Sequence, residues 1–159
     1  MNINNPIDEY IKKAELLYSA GKFEESLYFY RQAIEINPYN ATLYKCCGVL
    51  LSRLGRFDEA IISYKKSIKI DPEGLSAYKG IAYIFKELKK YEQAYFHLKK
   101  ASDINPDYET YNNLGVLCCQ MDNIREGIIY YDKAIMLEIG KSEAYCLKAN
   151  AHVSEGEIE

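Results

Sequence analysis

Five cysteines and two histidines are the side chains here with the most obvious chemistry, and their spacing argues against using it. Four of the cysteines form adjacent pairs, Cys46-Cys47 and Cys118-Cys119, and Cys146 stands alone. Neighbouring residues on a helix point about 100° apart, so one thiol of each pair faces the core and the other faces away. A single pair cannot then close on one metal ion. The expected arrangement is Cys47 and Cys118 inward, Cys46 and Cys119 outward. His97 falls on an outward position of one helix, and His152 replaces an apolar packing residue in another. No phosphate-cradling G-x-x-x-x-G-K-[ST], no G-x-S-x-G elbow and no H-E-x-x-H pair occurs. The residues predict no catalytic site, no metal and no cofactor. An odd, partly adjacent set of cysteines is unlike a secreted disulfide framework and predicts reduced thiols.

Tyrosine is the other conspicuous side chain, 16 in 159 residues, with runs such as Tyr28-Phe29-Tyr30 and Tyr130-Tyr131. Stacking platforms for single-stranded nucleic acid need a basic groove beside the rings. The chain instead carries a formal net charge of -3, with 20 basic and 23 acidic residues. Nucleic acid is therefore not an expected partner. No apolar run approaches the roughly 20 residues of a membrane helix, and Met1 to Glu9 lack the charged and apolar regions of a secretory signal. A cytoplasmic location without membrane attachment is expected.

The elements that hold these residues are set by a repeat. Tyr10, Tyr44, Tyr78, Tyr111 and Tyr145 are separated by 34, 34, 33 and 34 residues, while Pro38, Pro72 and Pro106 are 34 apart. Within one unit Tyr44, Cys47, Gly48 and Leu51 recur at i, i+3, i+4 and i+7, one face of an amphipathic helix. Gly55 fits the left-handed cap after that helix, and a second apolar pattern runs through Phe57, Ala60, Ile61, Tyr64 and Ile68 until Pro72 stops it. Each unit is thus a helical hairpin. Helices are predicted at about 7–20, 23–36, 41–54, 57–70, 75–88, 91–104, 108–121, 124–138 and 142–154, with no strand. Small residues fall where the two helices of a hairpin must approach: Ala14 with Ser26 and Ala33, Gly48 with Ala60 and Ser67, Ala82 with Ala94 and Ala101, Gly115 with Gly127 and Ala134.

These residues resemble the tetratricopeptide repeat, a 34-residue pattern with an aromatic, Leu-Gly and Tyr in its first helix, Ala and an aromatic in its second, and a closing Pro. Tyrosine replaces the usual tryptophan throughout, and the fourth unit ends Glu138-Ile139-Gly140 without proline. The resemblance covers nearly the whole chain. It implies an all-α, right-handed superhelical solenoid of helix-turn-helix repeats, one array over 1–159 with repeats at about 7–40, 41–74, 75–107 and 108–141. A partial fifth repeat or capping helix occupies 142–159. Gly156-Glu157-Ile158-Glu159 aligns with Gly55-Arg56-Phe57-Asp58, which favours continuation over a cap.

The resemblance further implies that the outward faces of the first helices line a concave groove. Those faces carry Lys45, Val49, Arg53, Lys79, Tyr83, Lys86, Asn112, Asn113 and Val116. Val49, Tyr83 and Val116 are apolar among cations, and the two asparagines offer donors and acceptors for a peptide backbone. An extended segment with acidic and apolar residues would suit such a groove. Related domains that hold the acidic tails of heat-shock chaperones use Lys and Asn, then Asn, then Lys and Arg. The matching positions here are Ile11 and Glu15, Cys46, then Ser76 and Gly80, so that clamp is absent. The expected function is a non-enzymatic scaffold that binds a partner protein or peptide. Two alternatives stand beside it: the recruiting portion of a larger enzyme, as similar arrays precede some glycosyltransferase domains, and a homotypic assembly module acting through the C-terminal end.

Overall fold

A computed structural model describes residues 6–138 and 142–156, without the side chains of 154 and 155. Among the described residues there are nine helices and no strand: α1 (Pro6–Ser19), α2 (Phe23–Ile36), α3 (Ala41–Arg53), α4 (Phe57–Ile70), α5 (Leu75–Glu87), α6 (Tyr91–Ile104), α7 (Tyr108–Gln120), α8 (Ile124–Leu137) and α9 (Ser142–Gly156). The expected helices are all present, with ends within two residues of those read from the apolar pattern. The protein is an all-α helical repeat array. Of the turn sequence aligned with Gly55-Arg56-Phe57-Asp58, everything beyond Gly156 lies outside the described residues, as do Ile139 and Gly140.

The first and second helices of each hairpin are joined by one repeated turn. In it the amide of the residue after the left-handed position reaches back to a carbonyl five residues earlier: Lys22 to Leu17 at 2.9 Å, Arg56 to Leu51 at 2.9 Å, Lys90 to Phe85 at 2.8 Å and Asn123 to Cys118 at 2.8 Å. That bond satisfies a carbonyl the helix end would otherwise leave open. The left-handed residue is Gly21 (φ 74°) and Gly55 (φ 73°) in the first two hairpins. Lys89 (φ 55°) and Asp122 (φ 63°) occupy the same place in the next two, where a side chain must tolerate a conformation that glycine adopts freely. At other junctions side chains cap the new helix: Asn40 Oδ1 accepts from the Thr42 amide at 3.0 Å, and Asp107 Oδ1 from the Thr110 amide at 2.8 Å.

The chain divides into two compact units, Met1–Ile84 and Phe85–Glu159. In the first, the small residues at the hairpin contacts are buried as their spacing predicts: Ala14, Ser26, Ala33 and Ala60 are inaccessible. Ser26 Oγ donates to the Ala14 carbonyl at 2.7 Å and Ser67 Oγ to the Ala41 carbonyl at 2.9 Å, so each serine is paired across the contact it allows. Gly48 has a further reason. A Cβ there would lie 2.7 Å from the Tyr64 ring, and a Cβ on Gly80 would lie 2.4 Å from Tyr64 Cζ. Tyr64 therefore packs against both first helices, α3 and α5.

In the second unit Tyr131 takes the same role against Gly115, where a Cβ would come within 2.5 Å of its ring. A Cβ on Gly127 would meet Cys119 Sγ at 2.7 Å. Tyr108, Ala134 and Ala144 form a buried cluster with Tyr111 and Ile135 packed against it. The Ala144 amide, near the start of α9, donates to Tyr108 Oη at 3.2 Å, and Lys148 Nζ donates to Asp132 Oδ1 at 2.6 Å.

Candidate functional site

In the first unit, Lys45, Val49 and Arg53 follow at i, i+4 and i+8 along α3, one side of that helix. Lys45 and Val49 are half-buried and Arg53 is exposed. The Arg53 guanidinium carbon lies 5.4 Å from the Tyr18 ring centre and 5.7 Å from that of Phe23, so the cation is held against two aromatic faces. Lys45 also lines a cavity of about 170 Å³ with Thr42, Ser67, Asp71 and Ser76. Along α5, Lys79 is half-buried and Tyr83 is 54% exposed, a large ring left in contact with water beside cations. Gly80, at a position matched to the chaperone-tail clamp, is the seat of the Tyr64 ring.

In the second unit, Lys86 is half-buried on the last turn of α5. Asn113 is half-buried, and its Nδ2 donates to the Glu109 carbonyl of its own helix at 2.9 Å. Asn112 does not face solvent: it is 7% exposed and its Oδ1 meets no donor. The reason is that α7 packs against α6, α8 and α9, which covers more of its circumference than the apolar stripe alone predicts. Val116 lines a cavity of about 290 Å³ with Cys119, Gln120, Ile124, Tyr131, Leu147, Asn150 and Ala151. The α9 side of this cavity, Leu147, Asn150 and Ala151, was missing from the expected site. Its signal was present, since these residues sit at the i, i+3 and i+4 spacing that marks a helix face.

The thiols are less exposed than their outward assignment predicts. Cys47 and Cys118 are buried as expected, and burial pushes each thiol up to about 12. Cys46 is half-buried against Tyr30, and desolvation raises it as well, partly offset by its bond to Tyr30 and by the Lys45 charge. Cys119 is half-buried with Tyr131 Oη 3.9 Å from its Sγ, and Cys146 is exposed. Cys46, Cys47 and Cys118 thus stay protonated near neutral pH and are poor nucleophiles in that state. His97 is not on an open surface: its ring stacks on Phe85 (centroids 5.7 Å apart, 24° between planes) and meets Phe96 edge-on at 5.3 Å. His152, expected to pack, is exposed. Among the described residues no group of three or more His, Cys, Asp or Glu side chains converges. No described helix is long and apolar enough to cross a membrane.

Nine helices among the described residues, with small residues buried along them and exposed positions of mixed charge, define a helical-repeat protein. Family models for the TPR repeat match residues 14–55, and models for the tetratricopeptide repeat match 41–73, 75–108 and 108–138. The chain belongs to the tetratricopeptide repeat family. Solved structures share the fold at low sequence identity. A MamA chain from Desulfovibrio magneticus RS-1 matches with a TM-score of 0.86 at 19% identity, covering 97% of this chain and 88% of that one. A tetratricopeptide repeat protein from Parabacteroides merdae matches at 0.88 and 22%, over 96% and 61%. YrrB, described as a TPR protein with an unusual peptide-binding site, matches at 0.77 and 21%, over 92% and 76%. No curated protein matches in sequence.

Proposed function

We propose that the protein is a non-enzymatic scaffold whose first-helix faces bind an extended segment of a partner polypeptide rich in acidic and apolar residues. The observation that carries this reading is the composition of the α3 and α5 faces in the first unit. Lys45 and Arg53 flank Val49 along α3, and Lys79 stands one turn before the half-exposed Tyr83 on α5, a combination suited to carboxylates alternating with apolar side chains. In the second unit the cavity beside Val116 offers an apolar recess with the Gln120 and Asn150 amides at its lining, suited to one side chain and the peptide bonds next to it. The peptide-binding site ascribed to YrrB supports the same kind of ligand for this fold.

Recovery of partners on the immobilised chain, identified by mass spectrometry, tests the reading when the parent is compared with Lys45→Glu/Lys79→Glu/Lys86→Glu. The variant is expected to lose the partners while its helical circular dichroism stays the same. Partners recovered equally by both would move the binding surface to the second helices or to the termini.

A further inference from the structure

The second helices carry a feature that hairpin packing does not use. Tyr28, Ile62, Phe96 and Ile129 are 58, 56, 57 and 54% exposed. They sit 34, 34 and 33 residues apart, at one position of the repeat. Single exposed apolar residues are ordinary, but the same position left open in four helices is a property of the repeat.

In the first unit these residues are framed by charge in a fixed order. Glu24, Tyr28 and Arg31 follow at i, i+4 and i+7 on α2, and Asp58, Ile62 and Lys65 do so on α4; all six are exposed. Between the two helices lies a cavity of about 370 Å³ with Ile34 and Ile62 on its walls, Tyr44 and Leu51 contributed by α3, and Arg31, Glu59 and Lys66 giving it a charged side. Arg31 and Glu59, both on the cavity wall, pair at 3.5 Å, and Arg56, just before α4, pairs with Glu24 of α2 at 3.4 Å.

We propose that the outward face of α4, with this cavity, is an isologous self-association surface whose occupant is a second copy of the chain. The order acid, apolar, cation identifies the occupant. A two-fold axis through Ile62 runs α4 of one copy antiparallel to α4 of the other, which sets Asp58 against Lys65 of the second copy and Lys65 against its Asp58. Ile62 of each copy then meets Ile62 of the other at the axis, at the edge of the cavity that Ile62 itself lines. An acidic peptide would be repelled by Asp58 and a basic one by Lys65, whereas a second copy satisfies both. On α2 the same order is engaged within the copy, Glu24 with Arg56 and Arg31 with Glu59, so the pairing between copies is assigned to α4. One helix face and one cavity per copy place the contact at the lower end of interface sizes, the class of weak and transient affinity. This surface is separate from the first-helix faces, so failure here leaves the peptide-binding reading untouched, and the reverse.

Sedimentation of the full chain from about 1 to about 500 µM, a range that brackets such an affinity, is the test. The parent is expected to dimerise. Ile62→Glu and Asp58→Lys should each weaken the dimer about tenfold or more, because the first buries a charge at the centre and the second turns two attractions into repulsions. The exchange variant Asp58→Lys/Lys65→Asp should recover the dimer yet form none with the parent, since mixing opposes like charges at both ends. That pattern of recovery without mixing separates pairing from damage to the fold. A parent that stays monomeric throughout, a dimer indifferent to Ile62→Glu, or an exchange variant that mixes freely with the parent would overturn the proposal. A different protein lost specifically on Ile62→Glu while the parent remains monomeric would also overturn it, by giving the face to that partner.

Discussion

Gly48 shows how a single side chain, or its lack, sets the distance between helices. Its position in the i, i+3, i+4, i+7 pattern marks it as a contact point, and the Tyr64 ring occupies the place of a Cβ. Gly48→Leu should cost roughly 1–3 kcal/mol or more by overpacking, seen as a lower melting temperature. Combining it with Tyr64→Ala should cost less than the two single changes added together, because the ring that clashes has gone. Strict additivity would contradict the contact. The buried thiols make a second prediction. Cys47 and Cys118 titrate at about 12 in the fold, and Tyr64 is likewise pushed up to about 12 by burial. In the unfolded chain a thiol titrates near 8.5 and a tyrosine near 10, so above about pH 8.5 the unfolded state releases protons that the folded state keeps. Stability from these groups is complete below that pH and drains away as pH rises towards about 12. Melting curves should be level from neutrality to about pH 8.5 and fall beyond it; no fall by about pH 10.5 would argue that the thiols are solvated.

At the scale of the element, the turn within each hairpin is the same hydrogen-bonded device built from different residues. Two copies use glycine, and two force Lys89 and Asp122 into the left-handed region. Aspartate tolerates that region better than lysine, since its short polar side chain can bond locally. Lys89→Gly should therefore raise stability by about 1 kcal/mol, measured by denaturant titration, and Asp122→Gly by less. A loss on Lys89→Gly would mean that the lysine side chain contributes more than its backbone costs. The helices were legible because the repeat restates each boundary several times: the prolines at 38, 72 and 106 and the glycines at 21 and 55 bracket the same two periods. Faces were less legible than boundaries. Gly80 and Asn112 lie on the outward side by spacing, yet a tyrosine from a neighbouring second helix covers one and the close packing around α7 buries the other. His97 departs from its expected outward place for a related reason, since Phe85 of α5 stacks on its ring. A helical wheel records only what one helix does, and these three positions are decided by neighbours.

For the molecule as a whole, the uniform element of the design is its packing and the variable element is its surface. Ala14, Ala33 and Ala60 in the first unit and Ala94, Ala101 and Ala134 in the second are all fully buried, so both units place small residues at the same inaccessible positions of the repeat. Charge is distributed otherwise. An overall excess of acid coexists with the cations Lys45, Arg53 and Lys79 on first helices of the first unit, a local balance opposite in sign to the net charge of -3, on which the proposed binding of an acidic segment rests. The measurement that tests this most directly is quantitative recovery of partners by the parent chain and by Lys45→Glu/Lys79→Glu/Lys86→Glu, at matched helicity and at two salt concentrations. Partners should be lost from the variant and, with the parent, should fall as salt rises. Partners recovered in equal amount by both chains, with no dependence on salt, would contradict binding at these faces.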